Sequence, residues 1–350
     1  MSALQAQSQP QSQPLVKVRD LNVAFVSKEA TLHAVNGVDF DLAPKETLCI
    51  LGESGSGKSV TLRSLMRLHP PKRTRITGTI LVDGTDIVAA SERELSSIRG
   101  RLVSMIFQEP MTALDPVFTI GKQITETIRR HEGVSQQEAQ RRALDLLELV
   151  QIPSARQRLD AYPHELSGGL RQRAMIAVAL SVRPKLLLAD EPTTALDATV
   201  QIQVLLLLKR IQAELGMGVI FVTHDLGVAG EIADRIAVMY AGRFIEEAPT
   251  EPLLEAPEHP YVEGLLGATV TPASRGRRLT AIPGSPPNLR TLPEGCAFAP
   301  RCTYVVPACR AAVPDLLATA PERTVRCIRP AGLRPPMPPA MALAAEERAP

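Results

Sequence analysis

The sequence predicts an α/β protein built on a mostly parallel sheet, and three observations carry that prediction. The apolar runs at 103–107, 186–189 and 219–222 are continuous rather than alternating, as expected of central strands covered on both faces. GESGSGKS at 52–59 lies between an apolar strand-like run (47–51) and a helix-like one (60–68), which is the strand–loop–helix setting of a phosphate loop. The stretch from about 111 to 180 then reads as helical. Ser135 and Glu138 are spaced as a capping box, and Ala143, Leu146, Leu147 and Val150 fall on one helical face. That stretch is a helical insertion in an α/β core.

Taken in order, residues 1–14 are rich in Gln, Ser and Pro and bury too little apolar surface to order themselves. The Pro/Ala-rich end at 330–350 has the same weakness, so both are read as disordered tails. A strand-like segment at 15–25 ends in Phe25. In the loop, Gly52, Gly55 and Gly57 lack Cβ atoms, so successive N–H groups across Glu53, Ser54 and Ser56 can curl around β- and γ-phosphate oxygens. Lys58 adds a point charge, Ser59 a hydroxyl for Mg²⁺, and Val60 continues into a helix whose N-terminus faces the anion. Further on, an aliphatic run at 186–189 delivers Asp190 at a strand's C-terminal end, where open parallel sheets bind ligands. Asp190 is read as a holder of Mg²⁺, and its neighbour Glu191 as the carboxylate that polarises an attacking water. After Gly242 the helix and strand signals fade and prolines become frequent. The main domain is therefore placed at 15–256 and a cysteine-containing region at 257–329, with no internal repeat.

At 350 residues and 45% apolar, the chain is long enough for one large domain and a smaller one with a real core. Its 39 basic and 37 acidic residues balance, which argues against a nucleic-acid footprint or a polybasic membrane patch. The longest aliphatic run, 204–208, falls far short of the roughly 20 residues that span a bilayer, and no signal peptide is visible. Four of the five cysteines bunch between Cys296 and Cys327, which suits a reducing compartment and a local metal site better than a disulfide framework. Cys296, Cys302, Cys309 and Cys327 form a full ligand set for an iron–sulfur cluster or a tetrahedral Zn²⁺, although the spacing is not Cys-x-x-Cys. The alternative is four thiols used as small apolar residues. Cys49, inside the strand before the phosphate loop, is read as core.

LSGGLRQR at 166–173, followed by LLLADEP, resembles the signature of ATP-binding cassette (ABC) ATPases, and the order of motifs matches that family across 16–247. The resemblance implies a P-loop NTPase with a RecA-like core, a helical subdomain and an antiparallel β subdomain. It also implies that Ser167, Gly168 and Gly169 open a helix whose N–H groups bind the γ-phosphate held by a second, facing subunit. By the same resemblance Gln108 senses Mg²⁺ and water and faces a membrane partner. His224 contacts the γ-phosphate, Asp197 speaks across the dimer, and Phe25 stacks on adenine. Leu170 departs from the usual Gln or Met, with little consequence expected.

FQEPMTALDP, EPTTALDATVQ, EHPYVEGLL and PGSPPNL ahead of the cysteines are similar to the peptide and nickel importer ATPases, which extends the match to 16–329. Glu109 stands where that group usually has aspartate. This implies the ATP-hydrolysing subunit of a bacterial importer of dipeptides or oligopeptides, with nickel or another small solute as the alternative. Its implied partners are two transmembrane permeases, a second related ATPase and a solute-binding protein outside the cell, with no nucleic acid. Its implied place is the cytoplasmic face of the inner membrane. For the four cysteines the resemblance favours [4Fe–4S] over zinc. The rival class is a soluble cassette ATPase of translation or DNA repair; those usually carry two cassettes or a long coiled-coil insertion, and this sequence has neither.

Overall fold

The computed structural model describes residues 13–194, 196–269 and 281–330, so the expected tails lie almost wholly outside the described residues. β1 (Val16–Val26) pairs antiparallel with β2 (Thr31–Leu42). β3 (Thr47–Leu51) starts a second sheet and runs through the glycine loop into α1 (Lys58–Ser64). β4 (Thr74–Val82) and β5 (Thr85–Asp86) return to the first sheet, giving the antiparallel order β2-β1-β4-β5. α2 (Glu92–Ile98) starts on a complete capping box between Ser91 and Glu94.

β6 (Val103–Ile106) then leads into α3 (Pro110–Ala113), α4 (Ile120–Glu132), α5 (Gln136–Leu149), α6 (Ala155–Arg158) and α7 (Gly168–Leu180). The stretch expected to be helical is helical. Only half of the capping box at α5 forms: Ser135 Oγ accepts from the Glu138 N–H at 3.2 Å, while the Glu138 carboxylate pairs with Arg141 at 2.6 Å. Ala143, Leu147 and Val150 are buried and Leu146 is half-buried, as the periodicity requires.

The chain continues through β7 (Leu186–Asp190), α8 (Ala198–Leu215), β8 (Gly218–Thr223), α9 (Leu226–Ile232) and β9 (Arg235–Tyr240). With β10 (Arg243–Pro249), α10 (Thr250–Glu255), α11 (Pro260–Gly267), α12 (Ala308–Ala311), β11 (Leu317–Ala320) and β12 (Arg323–Val325) it completes a second sheet in the order β11-β12-β10-β9-β3-β8-β7-β6. Strands β9 to β6 of this order are mutually parallel and the other three antiparallel. The parallel part separates two cores. Leu48, Ile50, Leu186, Leu188, Ile220 and Val222 face one, against the first sheet; Cys49, Leu51, Leu187, Ala189, Val219 and Phe221 face the other, against the helical insertion. Alternate side chains thus enter different cores, which is why these strands read as continuous apolar runs. β6, read as central, lies at the sheet's edge, yet it is buried because Val103 and Met105 enter one core and Ile106 the other.

The sequence signals that fade after Gly242 do not mark an end to regular structure: β10, α10 and α11 follow at once. Pro260 occupies the first turn of α11, where no N–H is needed, so it starts the helix instead of breaking it. Described residues beyond 257 are bound to the main sheet. β12 pairs with β10, and fully buried Glu246 takes Arg323 Nη2 at 2.6 Å and the backbone N–H of Glu258 and His259. Tyr261, Val262 and Phe298 join the same core as the helical insertion.

Candidate active site

The glycine loop leaves the C-terminal end of β3 and is pressed against β9. A Cβ on Gly52 would lie 2.2 Å from the Met239 carbonyl oxygen, and Gly57 sits at φ 109°, where L side chains are strained. The Lys58 ammonium, only 4% exposed, donates to the carbonyls of Gly52 at 2.8 Å and Glu53 at 2.9 Å. Burial pulls its pKa below the usual lysine value, against the opposing pull of Glu191 and Asp190. Ser59 Oγ donates to Asp190 Oδ1 at 2.6 Å, and Arg63 Nη2 lies 3.3 Å from the other oxygen of this fully buried carboxylate. Within the loop, Ser56 Oγ is buried without a hydrogen-bond partner.

Glu191 follows β7 at φ 46°, a strained conformation for a residue with a side chain. Its N–H donates to Val222 O at 3.0 Å on β8, so the β7–β8 register brings His224 beside it. The Glu191 carboxylate accepts from Thr194 Oγ1 at 2.9 Å and meets His224 Nδ1 at 3.1 Å. A cavity of about 650 Å³ joins these groups: Phe25, Glu53, Ser54, Gly55, Gly57, Lys58, Ser59, Val60, Gln108, Glu191 and His224 line it. Phe25 stands at the end of β1, edge-on to His69 at 5.5 Å, and Gln108 two residues past β6.

Ser167, Gly168, Gly169 and Asp197 are not among the residues lining this cavity. Ser167 caps α7, its Oγ accepting from the Leu170 N–H at 3.4 Å, and Asp197 caps α8 through the Val200 N–H at 3.0 Å. Both caps are exposed, and a Cβ on Gly168 would meet nothing within 4 Å.

The four clustered cysteines do converge: Cys296, Cys302, Cys309 and Cys327 line one pocket of about 20 Å³ with His259 and Phe298. Burial raises the Cys296 thiol and pushes Cys302 to about 11. Among the described residues no three His, Cys, Asp or Glu side chains are grouped to hold a metal ion. Nothing in this arrangement beyond the convergence itself supports a four-iron cluster or a zinc ion there. Cys49 is core, as read, its thiol raised by complete burial.

Two residues at the loop escaped the sequence reading. Arg301 grips the Glu53 carboxylate with both terminal nitrogens, at 2.8 and 3.1 Å, and the Glu53 N–H donates to Tyr261 Oη at 3.1 Å. Partners 248 and 208 positions away carry no local signal.

Residues 35–194 match the ABC transporter family, and residues 245–309 match the oligopeptide/dipeptide transporter C-terminal region. A protein of Brucella melitensis named for peptide import and ATP binding is 50% identical over 329 residues, 91% of this chain and 97% of its own length. The chain belongs to the ABC transporter ATP-binding family, in its oligopeptide/dipeptide group. A similarly named Brucella abortus protein is 48% identical over 314 residues, 90% of this chain and 94% of its own. Among solved structures, a dimeric ATP-binding cassette in a post-hydrolysis state with ADP and Pi is similar at TM-score 0.61 and 30% identity, covering 67% of this chain and 98% of its own. cbiO1 from Clostridium perfringens, part of the ABC transporter complex cbiONQ, is similar at TM-score 0.60 and 26% identity, covering 70% and 92%. The fold is the ABC ATPase cassette on a P-loop core, and membership makes the chain an ATPase that uses ATP and Mg²⁺.

Proposed function

We propose that this chain is the ATP-hydrolysing subunit of an importer that powers uptake of dipeptides or oligopeptides through partner permeases. The observation that carries the reading is the single cavity joining phosphate loop, acidic strand end and His224, in a chain whose C-terminal region matches the oligopeptide/dipeptide group. The loop N–H groups and Lys58 bind the β- and γ-phosphates, exchanging the carbonyls that Lys58 now contacts for phosphate oxygens. When bound, Mg²⁺ neutralises phosphate oxygens and fixes their orientation. Ser59 and Asp190 are already joined at 2.6 Å and offer the oxygens that hold it, with Gln108 nearby. Glu191 takes a proton from the attacking water as the new P–O bond forms and the bond to the β-phosphate oxygen breaks. His224, paired with Glu191, reaches the γ-phosphate, and Phe25 stacks on the base.

The signature turn and Asp197 serve the site of a facing subunit, a reading supported by their exposure and by the dimeric state of the similar cassette. Among the described residues no helix is long and apolar enough to cross a membrane, so two permeases would form the path. The chain then sits peripherally on the cytoplasmic face, with a second related ATPase and an outer solute-binding protein completing the complex. The convergence of the four cysteines is what favours a metal there; their pocket size and the lack of a grouped ligand set count against it, and no step above passes through one. Iron, sulfide and zinc assays on protein purified without oxygen decide that point.

Affinity purification of the tagged chain from gently solubilised native membranes tests the function. Two permeases, a second cassette and a peptide-binding receptor are expected. A nickel-binding receptor would redirect the substrate, and ribosomal or DNA-repair partners without any membrane protein would overturn the importer.

A further inference from the structure

Every polar group of Glu53, inside the phosphate loop, is held. Its carbonyl accepts from Lys58, its N–H donates to Tyr261 Oη at 3.1 Å, and its carboxylate receives the Arg301 fork. The last two anchors come from residues C-terminal to the cassette core. Arg301 is itself fixed: Nε donates to Pro283 O at 2.9 Å, Nη1 to Tyr240 Oη at 3.3 Å, and the guanidinium lies about 6 Å from the rings of Tyr240 and Phe298. The bond to Pro283 ties down the segment whose Leu289 lines the nucleotide cavity. By contrast Ser54 and Gly55 are exposed, and a Cβ on Gly55 would touch nothing within 4 Å. A glycine-rich loop anchored on one side only has much freedom to lose when it closes on phosphates.

Charge points the same way. An unpaired carboxylate in a loop that receives a polyanion repels it; the guanidinium fork offsets that charge.

We propose that Arg301 is a positioning residue of the nucleotide site, holding Glu53 so that the phosphate loop stands ready for ATP, and that the C-terminal region thereby sets ATP affinity. The proposal rests on the loop binding ATP. Arg301 acts through Glu53 and does not touch the nucleotide.

The test is titration of the full chain with the Mg²⁺ complex of AMP-PNP, alongside steady-state ATP hydrolysis. R301Q is expected to weaken binding about tenfold and raise KM for ATP similarly, with kcat within about threefold. E53Q/R301Q, which removes the stranded carboxylate but leaves the loop without its anchor, is expected to recover part of the affinity and to stay about threefold weaker than wild type. R301K keeps the charge without the fork and should fall between wild type and R301Q; it carries the test if R301Q does not fold. Wild-type affinity in R301Q and R301K, or wild-type affinity in the double variant, overturns the proposal. A wild-type chain that binds no AMP-PNP instead sinks the ATP reading on which it rests.

Discussion

The phosphate loop and the signature turn are both glycine-rich helix starts, yet the chain finishes the first and leaves the second open. Around the loop, Lys58 and Asp190 are buried and every charge has a partner within hydrogen-bond reach. At Ser167–Gly169 the helix is capped, and beyond the cap the N-terminus of α7 faces outward. A helix N-terminus carries roughly half a positive charge. In the loop that field is directed into a cavity of the chain itself; at the signature it is offered to something else. On the proposed reading, the difference means that one copy binds nucleotide and a second completes hydrolysis.

The sharpest way to test that division is Glu191→Gln. Removing a general base costs about 10²–10⁴-fold, so hydrolysis should collapse while ATP binding survives, and ATP-bound dimers should accumulate in size-exclusion runs. Undiminished turnover would break the assignment. Next is Lys58→Ala, which removes charge-assisted hydrogen bonds of about 1.5–3 kcal/mol each. Nucleotide affinity of the isolated chain should fall about 50-fold by titration, and dimers should fail to form at any practical ATP concentration. Gly168→Asp probes the other face. The new side chain enters open space, and its charge at the start of α7 should stabilise the helix by about 0.3–1 kcal/mol. Thermal melting should therefore be unchanged or slightly higher and single-chain ATP affinity within about twofold, while hydrolysis drops about tenfold because a carboxylate meets the facing γ-phosphate. A parallel loss of single-chain binding would erase the distinction between the faces. The smallest effect belongs to Phe25→Ala, where lost stacking of about 0.5–1.5 kcal/mol should weaken ATP binding two- to tenfold without altering kcat.

What could be read in advance follows the range of the interactions. The phosphate loop, the strand ending in Asp190, and the signature helix start are local patterns, and each stands in the element that its pattern implied. The helical insertion was legible because α5 alternates buried and exposed positions on a helical period. β6 misled because burial on both faces and a central place in the sheet produce the same apolar run. The strands and helices after Gly242 were hidden by prolines, of which Pro260 in fact starts α11. The Arg301–Glu53 clamp was out of reach altogether, since side chains 248 positions apart meet only through the packing of Tyr240, Tyr261 and Phe298.

Glu191 is held at φ 46°, a left-handed conformation that costs a residue with a side chain about 1–3 kcal/mol. Glycine there would relax the backbone and remove the carboxylate in one change. Any selection for heat resistance alone therefore has an easy route through this position to a sturdier but idle protein, and a thermostability campaign on this chain should screen for turnover in every round.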